Sequence, residues 1–132
     1  MNGTLALIAQ RWADQCPHYH DKNRKVLGFE QQPGQNLADS WSSKNGPNDY
    51  ELERKIQSWY DEVQNWPVEN TPSFTNQGTS GSVGHFTQVV WAETQFIGCG
   101  VVYYKDLAQP KYPYRKVILF FLVYIFNAAP IL

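Results

Sequence analysis

The chain has 132 residues, enough for one domain with an ordinary buried core. Its formal charge is −1 and charged residues make up 17%, so there is no electrostatic case for a nucleic-acid partner or an anionic membrane surface. Five Trp, eight Tyr and seven Phe suit a well-packed extracellular domain, and two cysteines are too few for a disulfide framework. The periodicity predicts a first helix over residues 5–16. Leu5, Ile8, Ala9, Trp12 and Cys16 form one apolar stripe, and Pro17 stops the helix. Asn2-Gly3-Thr4 is a formal glycosylation sequon, read here as a helix cap made by Thr4. Leu5–Ala9 is only five apolar residues with no basic segment before it, which is not a signal peptide.

His18 and His20 follow in a loop, and two imidazoles so close in sequence can ligate a metal or lie at the surface as ordinary polar residues. Pro33-Gly34 reads as a turn feeding a short strand through Gln35-Asn36-Leu37-Ala38. After a loop over 42–49, Asn48 and Glu51 make a capping-box-like start for a second helix. That helix carries Leu52, Ile56, Trp59, Tyr60 and Val63 on one stripe, with Asp61 opposite it and Glu62 on its shoulder. Residues 67–83 form a long aperiodic loop, rich in Pro, Asn, Ser, Thr and Gly, that can rim a cleft or simply run over the surface.

The loop delivers the chain to a short helix in which Phe86, Val89 and Val90 share a face and His85 stands at the mouth, where it can point into a cleft. Two strands complete the chain, Phe96–Tyr104 and Val117–Phe126, joined by a long connection over Lys105–Arg115. The second strand is ten apolar residues in a row, far short of the ~20 needed to span a bilayer, and reads as a buried central strand. Repeats, phosphate loops, nucleophile elbows and paired-cysteine zinc motifs are absent from the sequence.

The run Gly84-His85-Phe86-Thr87-Gln88-Val89-Val90-Trp91, continuing to Gly98-Cys99-Gly100, resembles the signature of the CAP superfamily. That superfamily takes in cysteine-rich secretory proteins, antigen 5 venom allergens and plant pathogenesis-related proteins of class 1. Leu5–Ala13 with Cys16, Pro33–Ala38 and Trp59-Tyr60-Asp61-Glu62-Val63 agree in order, and the whole is most similar to the arthropod venom-allergen branch.

The resemblance implies an α+β fold, a three-layer α-β-α sandwich around a central antiparallel sheet, in a single domain over residues 1–132. It also implies a secreted protein, and a chain truncated relative to the family, without the leader, the first helix and the usual glycine-rich close. In the family the cysteine at Cys99 pairs with one in the last strand, where Tyr124 stands here, and the partner of Cys16 lies further upstream, so both thiols look orphaned. The family's cleft residues fall on His20, Gln35, Glu62 and His85, with Gln35 replacing a common glutamate. His18 is left as a surface residue. Two imidazoles and the Glu62 carboxylate can hold a divalent metal such as zinc, with Gln35 or water completing the shell. The function implied is that of a non-enzymatic venom-allergen-like protein binding a small molecule, lipid or host protein. A metal- or histidine-dependent hydrolase, with Glu62 as general base and His85 as acid or ligand, and a degenerate fragment without activity are the alternatives.

Overall fold

The computed structural model describes residues 1–27, 29, 32–45, 51–67 and 82–124, with the backbone alone for 51 and 119–124. The elements are α1 (Gly3–Ala13), β1 (Gly34–Ser42), α2 (Glu51–Tyr60) running into a 3-10 helix (Asp61–Asn65), α3 (Gly84–Val89), β2 (Thr94–Lys105) and β3 (Tyr114–Tyr124). The strands make one antiparallel sheet in the order β1-β3-β2, so the most apolar strand is indeed central. Asn48, the aperiodic loop over 68–81 and the tail from 125 onward lie outside the described residues.

Pleat alternation sends neighbouring strand residues to opposite faces, and each face has its own cover. On one face Val117 joins Leu5, Ala9, Ala13 and Val26, with Leu37, Val102 and Tyr104 packed against them. On the other, Ile118 joins Ala38 and Trp59, with Leu52, Val89 and Val101 alongside. One helix layer is therefore α1 and the other is α2 with α3, the α-β-α sandwich expected from the resemblance.

Two glycines bring α1 down onto β2. A Cβ at Gly98 would stand 2.3 Å from the backbone of Leu5 and Ala6, and one at Gly100 would stand 2.5 Å from that of Ala9 and Gln10. Only hydrogen fits there, so the Gly-Cys-Gly run is a helix seat as well as a strand entry. Cys99, between the two, must point to the other face. Cys16 follows α1 on the first face, so the sheet separates the two thiols, and both are free.

Four sequence expectations are corrected. Helix α1 starts earlier and is capped by Asn2, whose Oδ1 accepts from the Leu5 N–H at 3.1 Å, not by Thr4, which lies inside the helix. It also ends at Ala13. Cys16 has φ 53° and donates its N–H to the Ala13 carbonyl, taking the left-handed position that usually holds glycine after a helix, before Pro17 makes continuation impossible.

The hairpin connection is shorter than predicted because β2 runs on to Lys105 and β3 begins at Tyr114, immediately after Pro113. Polar Arg115 can enter the central strand because Asp39 and Asp106 neutralise it. Finally, Tyr124 pairs with Thr94, while the residue opposite Cys99 is Phe120. Four residues of strand are roughly 13 Å, so position 124 is out of disulfide reach of Cys99.

Candidate functional site

Glu62 sits in the 3-10 helix that extends α2, and its carboxylate faces the start of α3. One oxygen, Oε2, accepts the N–H of His85 and of Phe86, both at 3.1 Å, two of the first-turn amides that a helix cannot satisfy itself. The other, Oε1, accepts from the His85 ring at 2.6 Å. Three donors thus converge on one carboxylate. His85 stacks on Trp59, with ring centroids 5.6 Å apart and planes inclined by 17°. Its carbonyl accepts from the Asn36 side-chain amide at 3.1 Å. The ring is therefore fixed from behind, beneath and at its backbone.

His20 is held in the same style by β1. The Gln35 side-chain oxygen accepts from His20 Nδ1 at 2.6 Å and from the Asp21 backbone N–H at 3.1 Å. A carboxylate and an amide oxygen can only accept, so each neutral ring carries its proton on Nδ1 and presents the Nε2 lone pair. Neither Nε2 has a partner among the described residues. Gln35 is buried, and its Nε2 is an orphaned donor.

All four residues carried over from the resemblance are thus engaged, but as two pairs. Gln35 and Asn36 are neighbours on β1 and leave it on opposite faces, so His20 is held from one face and the His85 backbone from the other. Among the described residues, no three His, Cys, Asp or Glu side chains come together as a metal-holding group. Both oxygens of Glu62 are taken by His85 and Phe86, and the Gln35 oxygen by His20 and Asp21. Glu62 and Gln35 thus stand behind the imidazoles, each holding a ring by its Nδ1. Each of the two Nε2 atoms is backed, through its ring, by a hydrogen-bond acceptor on Nδ1, as metal-ligating histidines usually are.

His18 lies at the surface, as expected, but with partners that the sequence did not show. Although half-exposed, it is knitted into the sheet: Nδ1 lies 2.7 Å from Asp39 Oδ2 and Nε2 lies 3.2 Å from the Tyr104 hydroxyl. The Arg115 guanidinium lies 3.1 and 3.3 Å from the two ring nitrogens, bonds Asp39 at 2.9 Å and rests over the Trp41 ring at 4.6 Å. Burial pushes the Tyr104 hydroxyl above its ordinary pKa; Arg115 opposes this, and Asp39, Cys16 and Asp106 add to it. Asn36 was also missed. Alternation along β1 places it opposite Gln35, a signal present in the sequence but without a partner to give it meaning.

Comparison with known proteins gives the family and the fold. The profile of the cysteine-rich secretory protein family, CAP, matches residues 1–126. The chain is 42% identical over 102 residues to a venom allergen 3 homolog of Dinoponera quadriceps, 43% over 103 residues to venom allergen 3 of Solenopsis invicta and 39% over 103 residues to venom allergen 5 of Microctonus hyperodae. Each match covers 77% of this chain and 42% of the relative, so the chain spans less than half the length of these relatives. Among solved structures, that of BmVAL-1 superposes with a TM-score of 0.65 at 24% identity, covering 93% of this chain and 62% of the other, and shares its fold. The chain belongs to the cysteine-rich secretory protein (CAP) family and is similar to its venom allergens over 77% of its length.

Proposed function

We propose that this chain is a secreted, non-enzymatic, venom-allergen-like protein that binds a small molecule, lipid or host protein through the site built on His20 and His85, with zinc as the resident divalent metal. Secretion follows the venom-allergen character of its relatives. The observation that carries the binding reading is the matched treatment of the two imidazoles, each with Nδ1 held by an acceptor and Nε2 left unpartnered among the described residues. A bound divalent ion would supply a positive centre for a carboxylate or phosphate oxygen of the ligand.

The hydrolase alternative loses ground on the same geometry. Its general base would be Glu62, but that carboxylate already accepts three N–H donors and is poorly placed to draw a proton from water. No helix among the described residues is long and apolar enough to cross a membrane.

The test is nitrogen NMR of the histidine rings with zinc added. The Nε2 resonances of His20 and His85 should move together and saturate, while the Nδ1 resonances keep their hydrogen-bonded positions. Unperturbed Nε2 resonances in the folded protein would rule the metal out, and zinc-stimulated ester or peptide hydrolysis would restore the enzyme alternative.

A further inference from the structure

We propose that His18 is a positioning residue for His20, a latch that pins the segment after α1 along the edge strand so that the His20 ring meets Gln35. The importance of seating His20 rests on the binding function proposed above; the latch itself rests on geometry alone. Residues 17–21 have no regular secondary structure, so side chains must decide where they lie. The segment follows β1 with His18 at Asp39 and His20 at Gln35, two β1 residues four apart on one face of the strand.

The anchor is prepared before His18 arrives. Trp41, Arg115 and Tyr104 form one cross-strand row over β1, β3 and β2, and Asp39 sits diagonal to Arg115. Arg115 is held on this row by Asp39 at 2.9 Å, by Asp106 at 3.3 Å and by the Trp41 ring. The imidazole then joins both edges of the sheet, to Asp39 on β1 and to Tyr104 on β2, with the guanidinium against it. Beyond it, the stretch from His18 to His20 is held by the His20 ring on Gln35 Oε1 at 2.6 Å and by the Trp12 indole N–H to the Tyr19 carbonyl at 3.3 Å, with the Trp12 and Tyr19 rings edge to face.

Removing His18 leaves the ion pairs of Arg115 with Asp39 and Asp106 in place, so the sheet should survive while the segment lifts. The Asp21 backbone N–H, which bonds Gln35, is a direct reporter of seating. In His18→Ala, hydrogen exchange of the Asp21 amide should accelerate about tenfold, the scale of one well-placed hydrogen bond, while amides of the β2–β3 hairpin keep their wild-type rates. The ring-nitrogen shifts of His20 should move toward those of a free imidazole. His18→Gln, whose amide can still donate to Asp39, should recover part of the protection.

An unchanged Asp21 exchange rate in folded His18→Ala would overturn the latch. Should that variant fail to fold, Tyr104→Phe decides the matter, because it removes only the hydroxyl contact: a severalfold acceleration at Asp21 supports the latch and no change overturns it. Zinc affinity in the same variants separates the two proposals. Weaker zinc binding together with faster Asp21 exchange supports both. Faster exchange in a protein whose wild type binds no zinc upholds the latch and removes the metal.

Discussion

Replacing Glu62 with Gln tests how much rests on a single carboxylate. The amide offers one acceptor where three N–H groups now converge, and its own N–H₂ would face a donor. A loss of about 1–3 kcal/mol in urea unfolding is expected from the unsatisfied groups. A variant as stable as the wild type would mean the carboxylate is not the keystone described. The opposite change, Gln35→Glu, should help. It removes the orphaned Gln35 Nε2 and gives His20 and the Asp21 amide a charged acceptor, so zinc affinity should rise severalfold by calorimetry. Equal or weaker affinity would place His20 outside the binding site. His85 and Glu62 were legible as site residues through the motif they belong to, but not their roles, since periodicity cannot show that a shoulder carboxylate turns toward a helix 23 residues further on. His18 was illegible for the same reason. Its partners lie 21, 86 and 97 residues away, and a half-exposed histidine in a loop carries no local sign of them.

Helix α1 and strand β2 were readable as elements, yet their closeness was not. The apolar stripe gave the buried face, with Leu5 and Ala9 fully covered and Ile8 and Trp12 packed beside them, because burial follows the helical period; Ala13, outside the stripe as read, is buried too. The boundary failed at Cys16, where a left-handed turn replaced the helix turn that the stripe alone suggested. The glycine seat leads to a sharp contrast between substitutions. Gly98→Ala and Gly100→Ala would each drive a methyl into the backbone of α1 and should destabilise by about 2–3 kcal/mol or more. Gly34→Ala meets the Gln88 side-chain amide, at 1.9 Å, which can swing away, so its effect should be smaller. Thermal unfolding of the three variants checks the ranking, and a Gly34 variant less stable than the other two would contradict it. In α2 the predicted stripe was only half realised: Trp59 is buried, whereas Ile56, Tyr60 and Val63 remain substantially exposed. The strict stripe presumed one flat surface beneath the helix; the chain instead turns into a 3-10 helix at Asp61, which aims Glu62 at α3.

At the scale of the whole molecule, the sandwich was legible because the family signature and the apolar central strand point to the same layers, and local and global preferences agree. The sheet separates the two free thiols, so reductant should leave the urea midpoint of the purified monomer unchanged; a lower midpoint under reductant would reveal a bond this fold does not allow. Alkaline pH should weaken the fold. Burial, with the Asp14 carboxylate adding to it, raises the Cys16 thiol above its ordinary value of 9.0, and burial likewise raises Tyr104 above 10.0. Both groups hold their protons more tightly folded than unfolded. Their contribution is therefore complete below about pH 9 and is lost as pH climbs through the raised values. Cys16→Ser should show a shallower decline in urea stability above that pH, and an identical decline would contradict the assignment.

The proposed binding function requires that the two imidazoles, each fixed by an acceptor on Nδ1, serve one metal-dependent site. Calorimetric titration of the folded chain with zinc tests it most directly, using His20→Ala and His85→Ala as controls. Saturable one-to-one binding that is lost in both variants is expected. No binding by the folded wild type, or binding that survives either substitution, would contradict it.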